Sequence, residues 1–254
     1  MKGFGIHPMK MKIAAIAVAF AAFAFGPAKA AQINLVTNGD FSQTTYTHNN
    51  QFGTGYGGQG VTGWTGGNGY QLYFFNGTAS VNSADSQYDN GYNTGSEKFY
   101  TMPPSISGGN FIGLDGDQTN GIQGSISQTV GGLTVGTQYL VSFNWATGQL
   151  QSRSGATTNN IKVTFGNQSF TTQTINTPSQ GSTAWLTQSF LFTATSASQV
   201  LTFLAQGTPT GLPPMVALDG ISLVAAPEPA SLAVMVSGLA VLGFFYRRRQ
   251  RQAA

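Results

Sequence analysis

Between residues 31 and 226, apolar positions recur at every second residue in short runs, separated by breaks rich in Gly, Asn and Ser. A period of two marks a strand with one buried face, because successive side chains of an extended chain point to opposite sides. The run YLVSFNW (139–145) places Tyr139, Val141, Phe143 and Trp145 on one face. IKVTF (161–165) does the same with Ile161, Val163 and Phe165, and Gly166-Asn167 reads as a tight hairpin into QSFTTQTI. WLTQSFLFTA (185–194) aligns Leu186, Phe190 and Phe192. Further strands are expected in INLV (33–36), YQLYFF (70–75), NFIGL (110–114), IQGSISQTV (122–130), QVLTFLA (199–205) and MVALDGISLV (215–224). No stretch before Ala230 shows the spacing of an amphipathic helix, and no internal repeat is present. About nine short strands with turn signals between them predict an all-β fold, a β-sandwich spanning residues 31–224.

Two runs are apolar without alternation. IAAIAVAFAAFAF follows the basic stretch MKGFGIHPMKMK and precedes Ala28-Lys29-Ala30. A positive start, a short apolar stretch and small residues at a cleavage position predict a signal peptide over residues 1–30, cut after Ala30 by signal peptidase. Met9 or Met11 as the start would leave the same signal. The second run, Ala230 to Tyr246, has no charged residue and is followed by Arg247, Arg248, Arg249 and Arg251. As a helix it would be about 25 Å long, slightly short of a ~30 Å hydrocarbon core but able to span with snorkelling flanks. It is the expected transmembrane helix, with the arginines as a cytoplasmic stop.

Charge follows from these ends. The formal net charge is +3. Residues 31–226 hold only Lys98, Arg153 and Lys162 against Asp40, Asp85, Asp89, Glu97, Asp115, Asp117 and Asp219. The exported part is therefore acidic, and the basic residues are targeting charges. No basic patch remains to grip phosphates, which excludes nucleic acid as a partner. The chain has no cysteine, so the core alone, or a metal, must stabilise it outside the cell.

PEPASLAVMVSGLAVLGFFYRRR resembles the PEP-CTERM sorting signal of Gram-negative bacteria, with Pro227, Glu228 and Pro229, one apolar helix and an Arg-rich end in that order. The resemblance implies an exosortase as partner and processing near the motif. It implies a domain held transiently in the periplasm at the inner membrane, then at the cell surface or in the extracellular matrix. It also implies association with exopolysaccharide and with biofilm or floc formation. It assigns residues 225–254 to sorting and supplies no activity.

The segments NLVTNGDFS (34–42), GWT (63–65), GLDGDQTNGIQGSISQTVGGLTVGTQYLVSFNWA (113–146) and ALDGISL (217–223) resemble, in that order, jelly-roll domains of the galactose-binding-like kind found in carbohydrate-binding modules. The resemblance implies a jelly-roll sandwich and a carbohydrate ligand. An acidic residue often follows the opening Phe in that pattern. Here it is Ser42.

Candidate chemistry is sparse. His48 is the only histidine after the signal peptide, and no Gly-x-Ser-x-Gly elbow occurs. GTGYGG (53–58) lacks a following helix and reads as a loop. Asp115 and Asp117 sit in LDGD, too close on one turn to straddle a sugar bond, and read as solvated turn acids. On a regular strand Asp219 shares a face with Ala217, Ile221 and Leu223, which aims a carboxylate at the core. There it must be hydrogen-bonded, paired or metal-bound, unless Gly220 forms a bulge and turns it outward. Calcium held by Asp219 with Asp40, or with the carbonyls of Asn38 and Gly39, is the metal reading. The segment 46–100 is rich in rings and amides, the combination that stacks on sugar faces and binds hydroxyls. Trp64, Tyr70 and Phe74 in it read as core, whereas Tyr56, Tyr88 and Tyr92 are the candidate sugar contacts. The sequence thus predicts a non-catalytic exported surface protein that contacts carbohydrate. The alternatives are a structural matrix or adhesion protein without a sugar site and, more distantly, a polysaccharide-active enzyme.

Overall fold

The structure, a computed structural model, describes residues 32–54, 58–80, 98–119, 121–150 and 153–227, with Gly238, Leu239, Arg247 and Gln250. The expected signal peptide, almost all of the expected transmembrane run, Glu228, Pro229, Arg248, Arg249 and Arg251 lie outside the described residues. No helix among the described residues is long and apolar enough to cross a membrane.

Two antiparallel sheets form a β-sandwich. Sheet I has the order β1 (Asn50–Gln51), β3 (Gln71–Phe74), β4 (Phe111–Asp115), β12 (Met215–Ala225), β6 (Gln138–Gly148) and β10 (Leu186–Thr193). Sheet II has the order β2 (Thr65–Gly66), β5 (Ser125–Gly131), β11 (Ser198–Thr208), β7 (Thr157–Phe165) and β8 (Gln168–Thr171), with β9 (Ile175–Thr177) beside β7. From β4 onward the chain changes sheet at every connection except those joining β7, β8 and β9. That wiring makes the sandwich a jelly roll and brings the last strand, β12, to the middle of sheet I.

The alternating runs form the faces they predict. Tyr139, Val141, Phe143 and Trp145 of β6 meet Ile161, Val163 and Phe165 of β7 and Leu201 and Phe203 of β11 in the core between the sheets. Phe143 and Phe203 touch edge to face at 5.1 Å across this layer, and each ring so buried contributes roughly 1.5–3 kcal/mol. Gly166, with φ of 59°, makes the two-residue turn between β7 and β8.

Two expected strands differ. Residues 33–36 form none, because the Asn34 side chain accepts from the N–H groups of Val36 (3.0 Å) and Leu223 (2.9 Å) where ladder carbonyls would. QSFTTQTI is broken into β8 and β9, since the Thr172 hydroxyl takes the Ile161 N–H at 3.0 Å and interrupts the ladder.

Sheet I is buried on its outer face as well. Leu72, Phe74, Phe111, Ala146, Met215 and Ala217 form a second cluster there, capped by Ala79, Phe99, Met102, Leu150 and Trp185. Ala146, Gly148 and Ala217 leave room in the sheet for the large side chains of the cap. A Cβ on Gly148 would stand 2.6 Å from Phe99 and 2.8 Å from Met102. The Trp185 indole N–H donates to the Pro103 carbonyl at 3.0 Å and ties this covering segment down.

Candidate functional site

The centre of β12 carries the feature that organises the acidic residues. Gly220 lies at φ of 61°, and the pairing with β6 jumps there: Asp219 faces Asn144, but Ser222 faces Ser142. Two residues therefore oppose one, a β-bulge. The extra residue inverts the phase of the strand. Val216 and Leu218 face the inter-sheet core before it, and Ile221 and Leu223 after it, while Met215 and Ala217 belong to the outer cluster. Asp219 thus shares a face with Ala217 but not with Ile221 and Leu223, which corrects the expectation from a regular strand.

The bulge does not bring Asp219 into water. Its relative exposure is 0 %, because the covering segment closes over it. Ser105 and Ser107 both donate their hydroxyls to Oδ2, whereas Oδ1 is buried without a hydrogen-bond partner. Burial pushes this carboxyl up. The two serine hydroxyls and the nearby Gly220 N–H pull it down, the Asp40 charge pushes it up again, and the net direction is upward.

Facing the bulge is the opening loop, Asn34–Gln43. Asn38 and Phe41 have positive φ of 53°, a left-handed conformation that costs a bulky side chain roughly 1–2 kcal/mol. Side chains from elsewhere hold it. The Trp64 indole donates to the Asn38 carbonyl at 3.0 Å, and the Tyr73 hydroxyl to the Phe41 carbonyl at 2.9 Å. Gln128 brackets Thr37 through both its amide atoms. Burial lifts Tyr73 to about 12, against the hydrogen bonds from Asn110 and Thr44, so it remains a neutral donor. Between loop and bulge lies an open pocket of about 420 Å³, lined by Asn34, Val36, Asn38, Gly39, Asp40, Ser42, Gln43 and Gly220–Ser222.

Internal donors already engage the carbonyls named for a calcium site. Calcium takes six to eight oxygens. The Asn38 carbonyl already accepts from Trp64 and from Phe41 N–H, and the Gly39 carbonyl from Ile221 N–H at 2.9 Å. Among the described residues no group of three acidic or histidine side chains converges.

The second acidic place is the end of β4. Asp115 and Asp117 are 2 % and 5 % exposed, so they are not solvated turn acids. Asp115 Oδ1 accepts the Asp117 N–H at 2.8 Å. Asp117 Oδ1 accepts the N–H and hydroxyl of Thr119, and its Oδ2 the Gly211 N–H at 2.6 Å. Burial acts on both with different results. It lifts Asp115 to about 7, aided by the Asp117 charge and opposed by one N–H and by Arg153. For Asp117 the three donors outweigh burial and hold it below the usual carboxylate range. Asp117 is thereby consumed in fastening the 208–211 turn.

Beyond the bulge, β12 runs on to Ala225. The Ala226 N–H still donates to the Gln138 carbonyl of β6 at 2.8 Å, and Gln32 Nε2 donates to the Ala225 carbonyl at 2.7 Å. Residues 225–250 match the family described as "PEP-CTERM protein-sorting motif". The chain carries a PEP-CTERM sorting motif. The motif marks an exported protein that an exosortase processes at the membrane, and here it begins where the sandwich ends, without a linker.

Residues 107–216, from the covering segment to the start of β12, match "Protein of unknown function (DUF642)". No curated protein sequence matches the chain. Among solved structures, it is similar to TmCBM61 in complex with β-1,4-galactotriose, with 12% identity and a TM-score of 0.39 over 76% of this chain and 99% of that one. A structure titled "CBM4 structure and function" is similar at 15% identity and a TM-score of 0.36, over 75% and 99%. The C-terminal sugar-binding domain of EclA is similar at 16% identity and a TM-score of 0.30, and this chain spans 64% of its length.

Several rings of the ring-rich segment that fall among the described residues are buried. Phe52, Trp64, Tyr73 and Phe74 are buried, and Tyr46, Tyr70 and Tyr100 half-buried. Tyr73, in the expected strand 70–75, also bolts the opening loop through its hydroxyl. Tyr56, Tyr88 and Tyr92 fall outside the described residues. Sequence reasoning missed Ser105 and Ser107, because two serines in an irregular stretch carry no periodic signal. It also passed over Gln43 and Ser222, ordinary polar positions until the fold brings them to one pocket.

Proposed function

We propose that this chain is a non-catalytic, exported sandwich module, delivered by its PEP-CTERM motif to the surface of a Gram-negative cell, where it contacts extracellular polysaccharide. The observation that carries the reading is the join between β12 and the motif. The central strand of the folded module leads directly into the sorting segment, so the sandwich is the cargo. A carbohydrate partner suits a surface rich in amides and hydroxyls with an acidic, cysteine-free exported part. Tyr56, Tyr88 and Tyr92 are proposed as stacking rings in this contact. A binding role suits the acids better than hydrolysis. Both Asp117 oxygens are engaged by Thr119 and Gly211, so Asp115 and Asp117 do not offer a free carboxylate pair.

Two experiments test the reading. Cells lacking the exosortase should accumulate the unprocessed chain, visible as a larger species on immunoblots. Screening the full chain against a glycan array should give saturable binding to at least one neutral polysaccharide. Normal processing without the exosortase would sink the sorting part, and hydrolysis of a bound glycan would sink the non-catalytic part.

A further inference from the structure

The pocket between the opening loop and the β12 bulge is lined by polar groups that the bracing of the fold only partly uses. We infer that it is a saccharide-binding subsite in which Asp40 is the principal hydroxyl acceptor. The inference rests on the carbohydrate reading above and gives it a location.

The walls are rigid before any ligand arrives. Trp64, Tyr73, Gln128 and Asn38 fix the loop backbone through side-chain hydrogen bonds. Gly39 lies against the bulge so closely that a Cβ would stand 1.9 Å from the Ile221 carbonyl. A site that does not need to be ordered on binding loses less entropy to its ligand.

The groups at the mouth are those left over from that bracing. Asp40 Oδ1 accepts the N–H (3.2 Å) and hydroxyl (2.9 Å) of Ser42, which sets the carboxylate plane and leaves Oδ2 free. Asn34 spends Oδ1 on Val36 and Leu223 and keeps its Nδ2 donors. The side-chain amide of Gln43 and the hydroxyl of Ser222 make no internal hydrogen bond, and both residues line the pocket. One carboxylate oxygen and two amides from the loop and a hydroxyl from β12, around a pocket of about 420 Å³, match the alternating donors and acceptors of a sugar ring. No cationic side chain lines it. A neutral sugar therefore suits it, whereas an acidic sugar or a phosphate would be repelled by Asp40.

The test uses the full chain in detergent and a panel of neutral gluco-, galacto- and xylo-oligosaccharides, read by calorimetry. Asp40→Asn keeps the acceptor for Ser42 but removes the charge, and Gln43→Ala removes one amide. Asp40 and Gln43 are exposed, so both variants should melt as the wild type does. The expected result is that an oligosaccharide bound by the wild type loses about tenfold in affinity in Asp40→Asn and a few-fold in Gln43→Ala. Unchanged affinity in both variants would overturn the subsite while leaving the carbohydrate reading intact. No binding by the wild type to any member would remove both. A calcium-dependent rise in melting temperature, lost in Asp40→Asn and without sugar binding, would make the pocket a cation site and overturn the inference.

Discussion

The two faces of sheet I are both buried, but by different means. The inner face meets a second sheet of alternating Val, Ile, Leu and Phe. The outer face mixes Leu72, Phe74, Phe111 and Met215 with small residues such as Ala146 and Gly148, and the chain's own covering segment closes it. Both raised carboxylates lie on that side: Asp219 beside Ala217, and Asp115 paired with Met215. Inter-sheet packing repeats over many strands, so it is robust. The outer cover rests on one local ring cluster around Phe74, Phe99, Phe111 and Trp185, one indole bond and a serine clamp on one carboxylate. The outer side is therefore where the molecule should open first.

The comparison can be broken in order of effect. Phe143→Ala, on the inner face, should cost about 3–5 kcal/mol in denaturant unfolding. A loss below 1 kcal/mol would deny that this face carries the stability. Next comes pH. Asp115 titrates at about 7 folded against 3.8 as its ordinary value. Its neutral form is favoured in the native state, so its contribution is fully present below pH 3.8 and lost as pH rises through 7. Stability should thus fall by roughly 3 kcal/mol between pH 4 and pH 8, and Asp115→Asn should flatten that slope. A slope unchanged in the variant would assign it to other groups. Gly148→Val should displace Phe99 and Met102 at a cost of about 1–3 kcal/mol. Limited proteolysis should then nick the covering segment while the sandwich persists. Global unfolding as severe as in Phe143→Ala would show that the two faces are one cooperative unit. Ser105→Ala with Ser107→Ala should cost about 1–3 kcal/mol by stripping donors from a buried carboxylate, mostly as faster exchange of covering-segment amides. The smallest effect concerns calcium, whose addition should leave the melting temperature unchanged. A saturable rise would restore Asp40 and Asp219 as metal ligands.

What could be read from the sequence follows the same division. Strands with one buried and one wet face announce their phase, and Tyr139 to Trp145 and Ile161 to Phe165 were legible for that reason. Strand β12 is buried on both sides from Met215 to Asp219, so MVALD has no alternation to read. A bulge at Gly220 can invert its phase without altering its composition. The covering segment KFYTMPPSIS has no period either, and its partners are tens of residues away. The sorting motif was legible because its three parts are consecutive and act as linear chain. The pocket was not, since Asn34 and Asp40 meet Ser222 only after the last strand is laid into the middle of the sheet.

The central claim is that this exported module contacts extracellular polysaccharide. Surface plasmon resonance of the full chain over immobilised neutral polysaccharides measures it most directly. Saturable binding to at least one of them, competed by its free oligosaccharide, is the expected result. A flat response across the whole panel, from a chain that melts cooperatively, would contradict the claim.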